Sequence, residues 1–172
     1  LTPYLENNQI HLASINLTGA KYTLAVPKYA YDAGVKTFSD LAKHKNDFGG
    51  YIYGLEPDNP GNQLIKKMID NNAYGLGHYR IVPTTEQIML LQLKKKTQKG
   101  KWIVLLGWEP HPRNSEFDIA YLDGDPDYFG PDFGGATVHT SFRTGFREDC
   151  PNAARLLTNL KFTIEMENAL MT

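Results

Sequence analysis

The chain has 172 residues, of which 41% are hydrophobic and 22% are charged, and its formal net charge at pH 7 is −1. This length suits one domain with a sizeable core, since a domain of about 150 residues buries roughly 70% of its unfolded surface. The near-neutral charge gives no reason to expect a nucleic acid or an anionic membrane as a partner. No apolar run approaches the roughly 20 residues of a membrane span, and a single cysteine, Cys150, excludes an internal disulfide.

The first half of the chain predicts alternating helices and strands. Apolar alternation and closing turn residues indicate strands, and apolar residues on one face indicate helices. The expected elements are a helix ending near residue 7, strands at 11–17, 21–27 and 49–55, and helices at 37–45 and 62–71, the last with Asn62 as its N-cap.

The second half continues this alternation. A strand is expected at 79–82, a helix capped by Thr84 and Gln87 up to Thr97, a strand at 102–106, a long loop at 114–135 containing a strand at 119–122, a strand at 136–143, and helices starting at Pro151 and at Thr163. Alternating strands and helices predict an α/β fold with a mostly parallel sheet flanked by helices.

Side chains that can bind a ligand or take part in catalysis follow the predicted strand at 102–106. The strand is expected to stop at Gly107, and the sequence continues as WEPHPRN. Because ligands of open α/β sheets bind beyond the carboxyl ends of strands, Trp108, Glu109 and His111 are candidates for recognition or chemistry. Glu109 and His111 are also a conceivable acid–base pair of a small hydrolytic enzyme, although the sequence shows no nucleophile motif.

The loop EPDNPGN at 56–62 joins a strand to a helix N-terminus. Such a terminus presents free backbone N–H groups and a partial positive charge, so it can hold a carboxylate or a phosphate, with the amides of Asn59 and Asn62 beside it. A plain turn with an N-cap is the alternative.

No metal or cofactor is predicted. Asp123, Asp125 and Asp127 imitate the start of a calcium loop, but Tyr128 and Gly134 stand where that loop needs glycine and glutamate. The histidines have no metal-ligand spacing. A run of lysines at 94–101 lies where it complements a helix C-terminus, so a nucleic-acid patch is not expected.

Two aromatic residues lie at the ends of predicted strands, where a ligand cleft is expected. Tyr22 lies at the start of KYTLAVP, and Trp108 follows Gly107. An aromatic at a buried strand is often a core residue, but two such rings also suit a quaternary ammonium, which has no N–H to donate and is attracted to the ring faces.

With these residues in view, the chain resembles the substrate-binding proteins of glycine betaine/choline ABC importers, most closely the choline-binding type. Nearly the whole chain takes part in the resemblance. The matching stretches are AKYTLAVPKY (20–29), GGYIYGLEPDNPGN (49–62), WIVLLGWEPHPRN (102–114), YFGPDFGGATVHT (128–140) and CPNAARLLTNLKFTIEMENALM (150–171).

The resemblance implies a periplasmic binding protein type II-like fold of two α/β lobes, with the cationic head held in an aromatic box between them. It implies that Tyr22 and Trp108 are walls of the box, and that Asn59, or Asn62 under another alignment, contacts the other end of the ligand. Choline or glycine betaine would be delivered to ABC membrane subunits in the periplasm, without cofactor or bond-making. For a betaine carboxylate, the helix terminus or His111 would be the donor.

By the resemblance, we expect this chain to be incomplete relative to that family. Its start without Met, at LTPYLENNQ, and its end within a helical pattern favour an excised piece. By the resemblance, residues 21–139 correspond to lobe two, whereas residues 1–20 and 140–172 correspond to remnants of lobe one and the hinge. We expect the remnants to expose apolar faces that pair with a second copy, by self-association or domain swap, or with a separate segment. A module that binds no solute is the third alternative.

Overall fold

The computed structural model describes residues 2–124 and 126–171. Its strands are β1 Ile10–Pro27, β2 Tyr51–Tyr53, β3 Arg80–Val82, β4 Val104–Glu109, β5 Ile119–Tyr121 and β6 Ala136–Arg143. Its helices are α1 Thr2–Glu6, α2 Lys28–Asp32, α3 Phe38–Lys43, α4 Lys45–Phe48, α5 Pro60–Asp70, a 3-10 helix Ala73–His78, α6 Glu86–Thr97, α7 Arg113–Glu116, α8 Pro131–Gly134, α9 Phe146–Asp149, α10 Pro151–Asn159 and α11 Ile164–Leu170.

The α/β class with flanking helices is confirmed, but the sheet is mixed and not mostly parallel. Its strand order is β3-β2-β4-β1-β5, and β6 pairs with β1. Only the pairings of β2 with β3 and with β4 are parallel among the described strands, as expected for strands joined through helices. β1 runs antiparallel to β4, β5 and β6, because it enters the sheet from the opposite end.

β1 is one long strand where the sequence predicted two. Pairing with β6 continues through the expected gap, with register irregularities between residues 12 and 20 and with Gly19 at φ +79°. Glycine tolerates this left-handed backbone, so the strand bends there without ending. The first part of β1 therefore pairs with β6, and its second part pairs with β4 and β5.

The hydrophobic core lies in the central region, which we define as residues 21–135. Leucines of β1 and β4 pack with the inner faces of α3, α5 and α6. Leu24, Ile65, Met89 and Leu105 are completely buried there. None of the helices in the described parts of the chain is both long and apolar enough to traverse a bilayer.

The ribbon region, residues 2–20 and 136–171, contains the β1–β6 ribbon and the terminal helices. The ribbon contacts the end of α10 partly through polar groups: the Asn16 Nδ2 of β1 donates to the carbonyl of Leu160, the residue after α10, at 2.8 Å, and the Thr140 hydroxyl of β6 donates to Asn16 Oδ1 at 2.7 Å. Large apolar side chains remain exposed in this region, among them Leu12, Ile15, Val138, Leu156, Met166 and Leu170.

Candidate functional site

The sheet brings Tyr22 and Trp108 side by side. They are direct cross-strand partners in the β1–β4 pair, so their side chains leave the same face of the sheet next to one another. Both side chains are half-buried and pack against the edge of the core. The sequence predicted that both residues lie near a cleft. That they are direct neighbours follows only from the antiparallel register of β1 and β4.

Trp108 and Glu109 are the last residues of β4 and do not follow the strand, so the predicted strand end at Gly107 was wrong. The strand continues because Gly107 has no side chain: a Cβ there would lie 2.9 Å from the Ala25 Cβ and 3.0 Å from the Tyr121 ring. Backbone pairing with β1 therefore extends to Glu109, which is opposite Lys21.

Asn59 joins Tyr22 to the N-terminus of α5. The Tyr22 hydroxyl donates to Asn59 Oδ1 at 2.7 Å, and the Gly61 N–H donates to the same oxygen at 2.9 Å. Since this oxygen accepts two hydrogen bonds, the Nδ2 group of Asn59 is the end of the amide that can donate to a ligand oxygen. Burial is the main reason why the pKa of Tyr22 is raised, so its hydroxyl stays protonated.

The N-cap of α5 is Asn59, and the prediction of Asn62 as the N-cap was wrong. Asn62 is buried one position past Gly61, where its Oδ1 accepts from the Leu55 N–H and its Nδ2 donates to the Leu55 and Glu56 carbonyls. These three hydrogen bonds brace the loop that leads into α5. The cap of α6 is likewise displaced by one residue, from Thr84 to Thr85.

Gly61 and Phe129 belong to the site although the sequence analysis did not name them. A Cβ on Gly61 would lie 2.3 Å from the Tyr22 hydroxyl oxygen, so only glycine allows the helix to approach the ring this closely. Phe129 contacts Tyr22 edge-on, with 6.1 Å between ring centroids. In the sequence, the Pro-Gly pair of the loop could have pointed to Gly61, and the aromatic stretch YFGPDFGG could have pointed to Phe129.

His111 is fixed by hydrogen bonds at both ring nitrogens. The Arg113 N–H donates to Nδ1 at 3.1 Å, which places the proton of the neutral ring on Nε2, 2.8 Å from Glu86 Oε1. Burial and, secondarily, the charge of Arg113 lower the pKa of His111, against the opposing effect of Glu86. The ring touches Trp108 edge-on, with 4.7 Å between centroids.

Glu109 and His111 have different ionic partners, so the structure does not assemble them into the acid–base pair of a small hydrolytic enzyme. Glu109 binds Lys21 at 2.7 Å, whereas His111 binds Glu86. Successive strand residues point to opposite faces, so Glu109 faces away from Trp108 and lines a cavity of about 340 Å³ with Lys21 and Tyr121.

No group of three or more His, Cys, Asp or Glu side chains within residues 2–124 and 126–171 is placed to hold a metal ion. Of the three aspartates compared with a calcium loop, Asp125 lies outside the described residues.

Comparison with known proteins gives a consistent result. The family described as the substrate binding domain of ABC-type glycine betaine transport systems matches residues 2–172. A solved ABC-transporter choline binding protein in complex with choline is 46% identical, with a TM-score of 0.77, over 99% of this chain and 59% of its own. Lactococcal OpuAC, complexed with glycine betaine, is 27% identical, with a TM-score of 0.73, over 99% of this chain and 63% of its own.

A curated relative from Listeria monocytogenes, the glycine betaine/carnitine transport binding protein GbuC, is 29% identical over 94 residues, which cover 55% of this chain and 30% of that protein. The chain therefore spans less than two thirds of the length of these relatives.

Proposed function

Because the chain belongs to the family of substrate-binding domains of ABC-type glycine betaine transport systems, we propose that it binds a quaternary-ammonium solute against Tyr22 and Trp108 for delivery to an ABC importer. The observation that carries this proposal is the cross-strand pairing of the two rings, with Asn59 hydrogen-bonded to one of them. This arrangement offers aromatic surface and one amide donor to a small ligand.

The chemistry of the pair suits a cation that cannot hydrogen-bond. A trimethylammonium group has no N–H and cannot donate a hydrogen bond to a carboxylate. A carboxylate therefore has little advantage over an aromatic ring in recognising it. Each contact with a ring is worth up to about 2 kcal/mol when water is excluded. Two contacts give about 4 kcal/mol, which corresponds to a dissociation constant of about 1 mM, and this is the affinity we expect for the chain by itself.

Choline is the solute that we favour. Asn59 presents a single amide nitrogen, which suits the lone hydroxyl group of choline better than it suits a carboxylate, whose oxygens accept several hydrogen bonds. His111 is not available as a second donor, because its Nε2 binds Glu86. Glycine betaine is the alternative solute, with its carboxylate on Asn59 and the start of α5. Asn62 is not available to either solute, because its side chain is hydrogen-bonded to the loop backbone.

We place the solute at the boundary of a lobe formed by residues 21–139, with residues 1–20 and 140–172 as parts of the first lobe and the hinge. The remaining walls of an aromatic box would come from polypeptide outside this chain or from a second copy. A solute held by both sides would favour the closed arrangement, which the membrane subunits recognise outside the cytoplasm.

The test is calorimetric titration of the chain with choline and glycine betaine, alongside two matched variants. Trp108→Leu removes the proposed wall, and Trp102→Leu removes an indole that packs against His44 and Phe48. We expect saturable choline binding that only Trp108→Leu abolishes. Binding that survives Trp108→Leu, or that Trp102→Leu weakens equally, would contradict the proposed site.

A further inference from the structure

Arg113 is the most unusual side chain next to the proposed site. It follows β4 at the start of α7, and 1% of its surface is exposed. Among the described residues no carboxylate lies within ion-pairing distance of it, and its Nε and Nη1 atoms are buried without a hydrogen-bond partner in that part of the chain. A buried arginine remains charged, so this position holds a cation with few of the contacts that normally accompany burial.

Arg113 contacts Trp108, and its guanidinium also interacts with the Tyr121 hydroxyl. Its guanidinium carbon lies 3.9 Å from the centroid of the Trp108 ring, which is stacking distance. Its Nη2 also donates to the Trp108 carbonyl at 3.2 Å. One side chain thus holds both the ring and the backbone of the same residue.

The Trp108 carbonyl is held from other sides as well. The Tyr121 hydroxyl donates to it at 2.7 Å, and Asn114 Nδ2 donates at 3.3 Å. The His111 ring also contacts the indole, with the two ring planes nearly perpendicular. The backbone of Trp108 is therefore well fixed without Arg113, whereas the guanidinium is the charged group that lies over the ring.

We propose that Arg113 is a positioning residue that stacks on one face of Trp108 and so orients the other face towards the solute. A ligand cannot use the covered face, because the guanidinium there is buried. The flat, delocalised guanidinium fits an indole face, and the ammonium of lysine does not. The binding consequence of this proposal rests on the proposed function, whereas the stacking itself can be measured without any ligand.

The experiment uses a Trp102→Phe background, in which Trp108 is the only tryptophan of the chain. Into it we introduce Arg113→Met, which keeps length and loses charge and planarity, and Arg113→Lys, which keeps charge. Arg143→Met is the control, since Arg143 is an exposed arginine paired with Asp149 and near the Phe146 ring.

In the absence of ligand, we expect both Arg113 variants to shift the Trp108 emission to longer wavelength and to lower its anisotropy, at a temperature where circular dichroism shows them folded. In the choline titration we expect the dissociation constant to rise about tenfold in both, as for loss of one well-placed ring contact. Arg143→Met should change none of these three quantities.

A purely structural role of Arg113 predicts something else: lower thermal stability, with unchanged Trp108 emission, anisotropy and choline affinity in the folded variants. That result would overturn the proposal, as would full rescue by Arg113→Lys. If the parent chain binds no choline, the proposed function fails, but the emission and anisotropy still decide whether Arg113 positions the ring.

Should neither Arg113 variant fold, the reverse change is informative. Trp108→Leu removes the ring that covers the guanidinium, so the Arg113 Nε proton should exchange with water at least about tenfold faster, as protection follows burial. Unchanged exchange in the folded Trp108→Leu variant would contradict the stacking.

Discussion

The central region and the ribbon region bury their apolar residues to different extents. In residues 21–135, Leu24, Ile65 and Leu105 are fully buried, and the core continues from the sheet into the helices. In residues 2–20 and 136–171, Leu17 and Phe142 retain 3% and 6% exposure, while Leu156 and Leu170 are 65% and 75% exposed. The central region therefore carries most of the stability, and the ribbon region leaves large apolar side chains exposed.

The largest expected effect separates the two regions. Leu105→Ala removes a fully buried side chain from β4 and should lower the free energy of unfolding by about 2–5 kcal/mol. Leu156→Ala removes the same atoms from an exposed position on α10 and should change it by less than about 0.5 kcal/mol. Urea unfolding of both variants measures the difference, and equal losses would contradict the contrast between the regions.

The next effect acts where the central region forms the site. Gly61→Ala places a Cβ 2.3 Å from the Tyr22 hydroxyl oxygen and 2.5 Å from the Leu106 Cδ2. We expect a loss of about 1–3 kcal/mol in unfolding free energy, as for other overpacked sites, together with loss of choline binding. Gln63→Ala, at an exposed position of the same helix, is the control. Wild-type affinity in Gly61→Ala would show that Tyr22 is not held where we place it.

A smaller effect concerns His111. Its pKa is lowered, chiefly by burial, so the folded state favours the neutral ring. The unfolded chain titrates near pH 6.5, and the stabilising effect of the neutral form is therefore present above that pH and is lost as the pH falls through the lower folded-state value. Wild type should lose stability relative to His111→Gln between pH 7.5 and 5.5, as measured by urea unfolding. Parallel pH profiles of the two proteins would contradict this.

The smallest effect on stability, but the sharpest contrast between the regions, comes from exposed leucines. Leu156→Glu with Leu170→Glu should reduce self-association in sedimentation experiments and leave the unfolding free energy within about 0.5 kcal/mol. The matched pair Ile88→Glu with Leu91→Glu changes exposed residues of α6 in the central region. If both pairs act alike, or if wild type is monomeric at all concentrations, the ribbon region is not the associating surface.

The local elements of the fold were largely predictable from the sequence. β6 and α10 follow the alternation and the Pro151 start that predicted them. The direction and length of β1 were not predictable, because they depend on pairing with strands about 80 to 130 residues away in the chain. A bend at Gly19 separates the two apolar runs in sequence, but backbone pairing continues through it.

The candidate site was predictable in composition and not in geometry. Tyr22, Asn59 and Trp108 were identified from their residue types and from the family resemblance, and their contacts arise from the register. Proline at the first position of α5 could have selected Asn59 over Asn62 as the N-cap. Arg113 could not be found, because nothing in the local sequence distinguishes a buried arginine from a solvated one.

The central claim is that Tyr22, Trp108 and Asn59 contact one quaternary-ammonium solute. The most direct test is a titration of ¹⁵N-labelled chain with choline, following the indole N–H of Trp108 and the side-chain amide of Asn59 by NMR, with the indole of Trp102 as internal control. We predict that Trp108 and Asn59 shift together along one saturation curve with a dissociation constant of about 1 mM, while Trp102 does not move. No shift at Trp108 and Asn59 at saturating choline, or shifts confined to Trp102 or to the cavity beside Lys21, would contradict the claim.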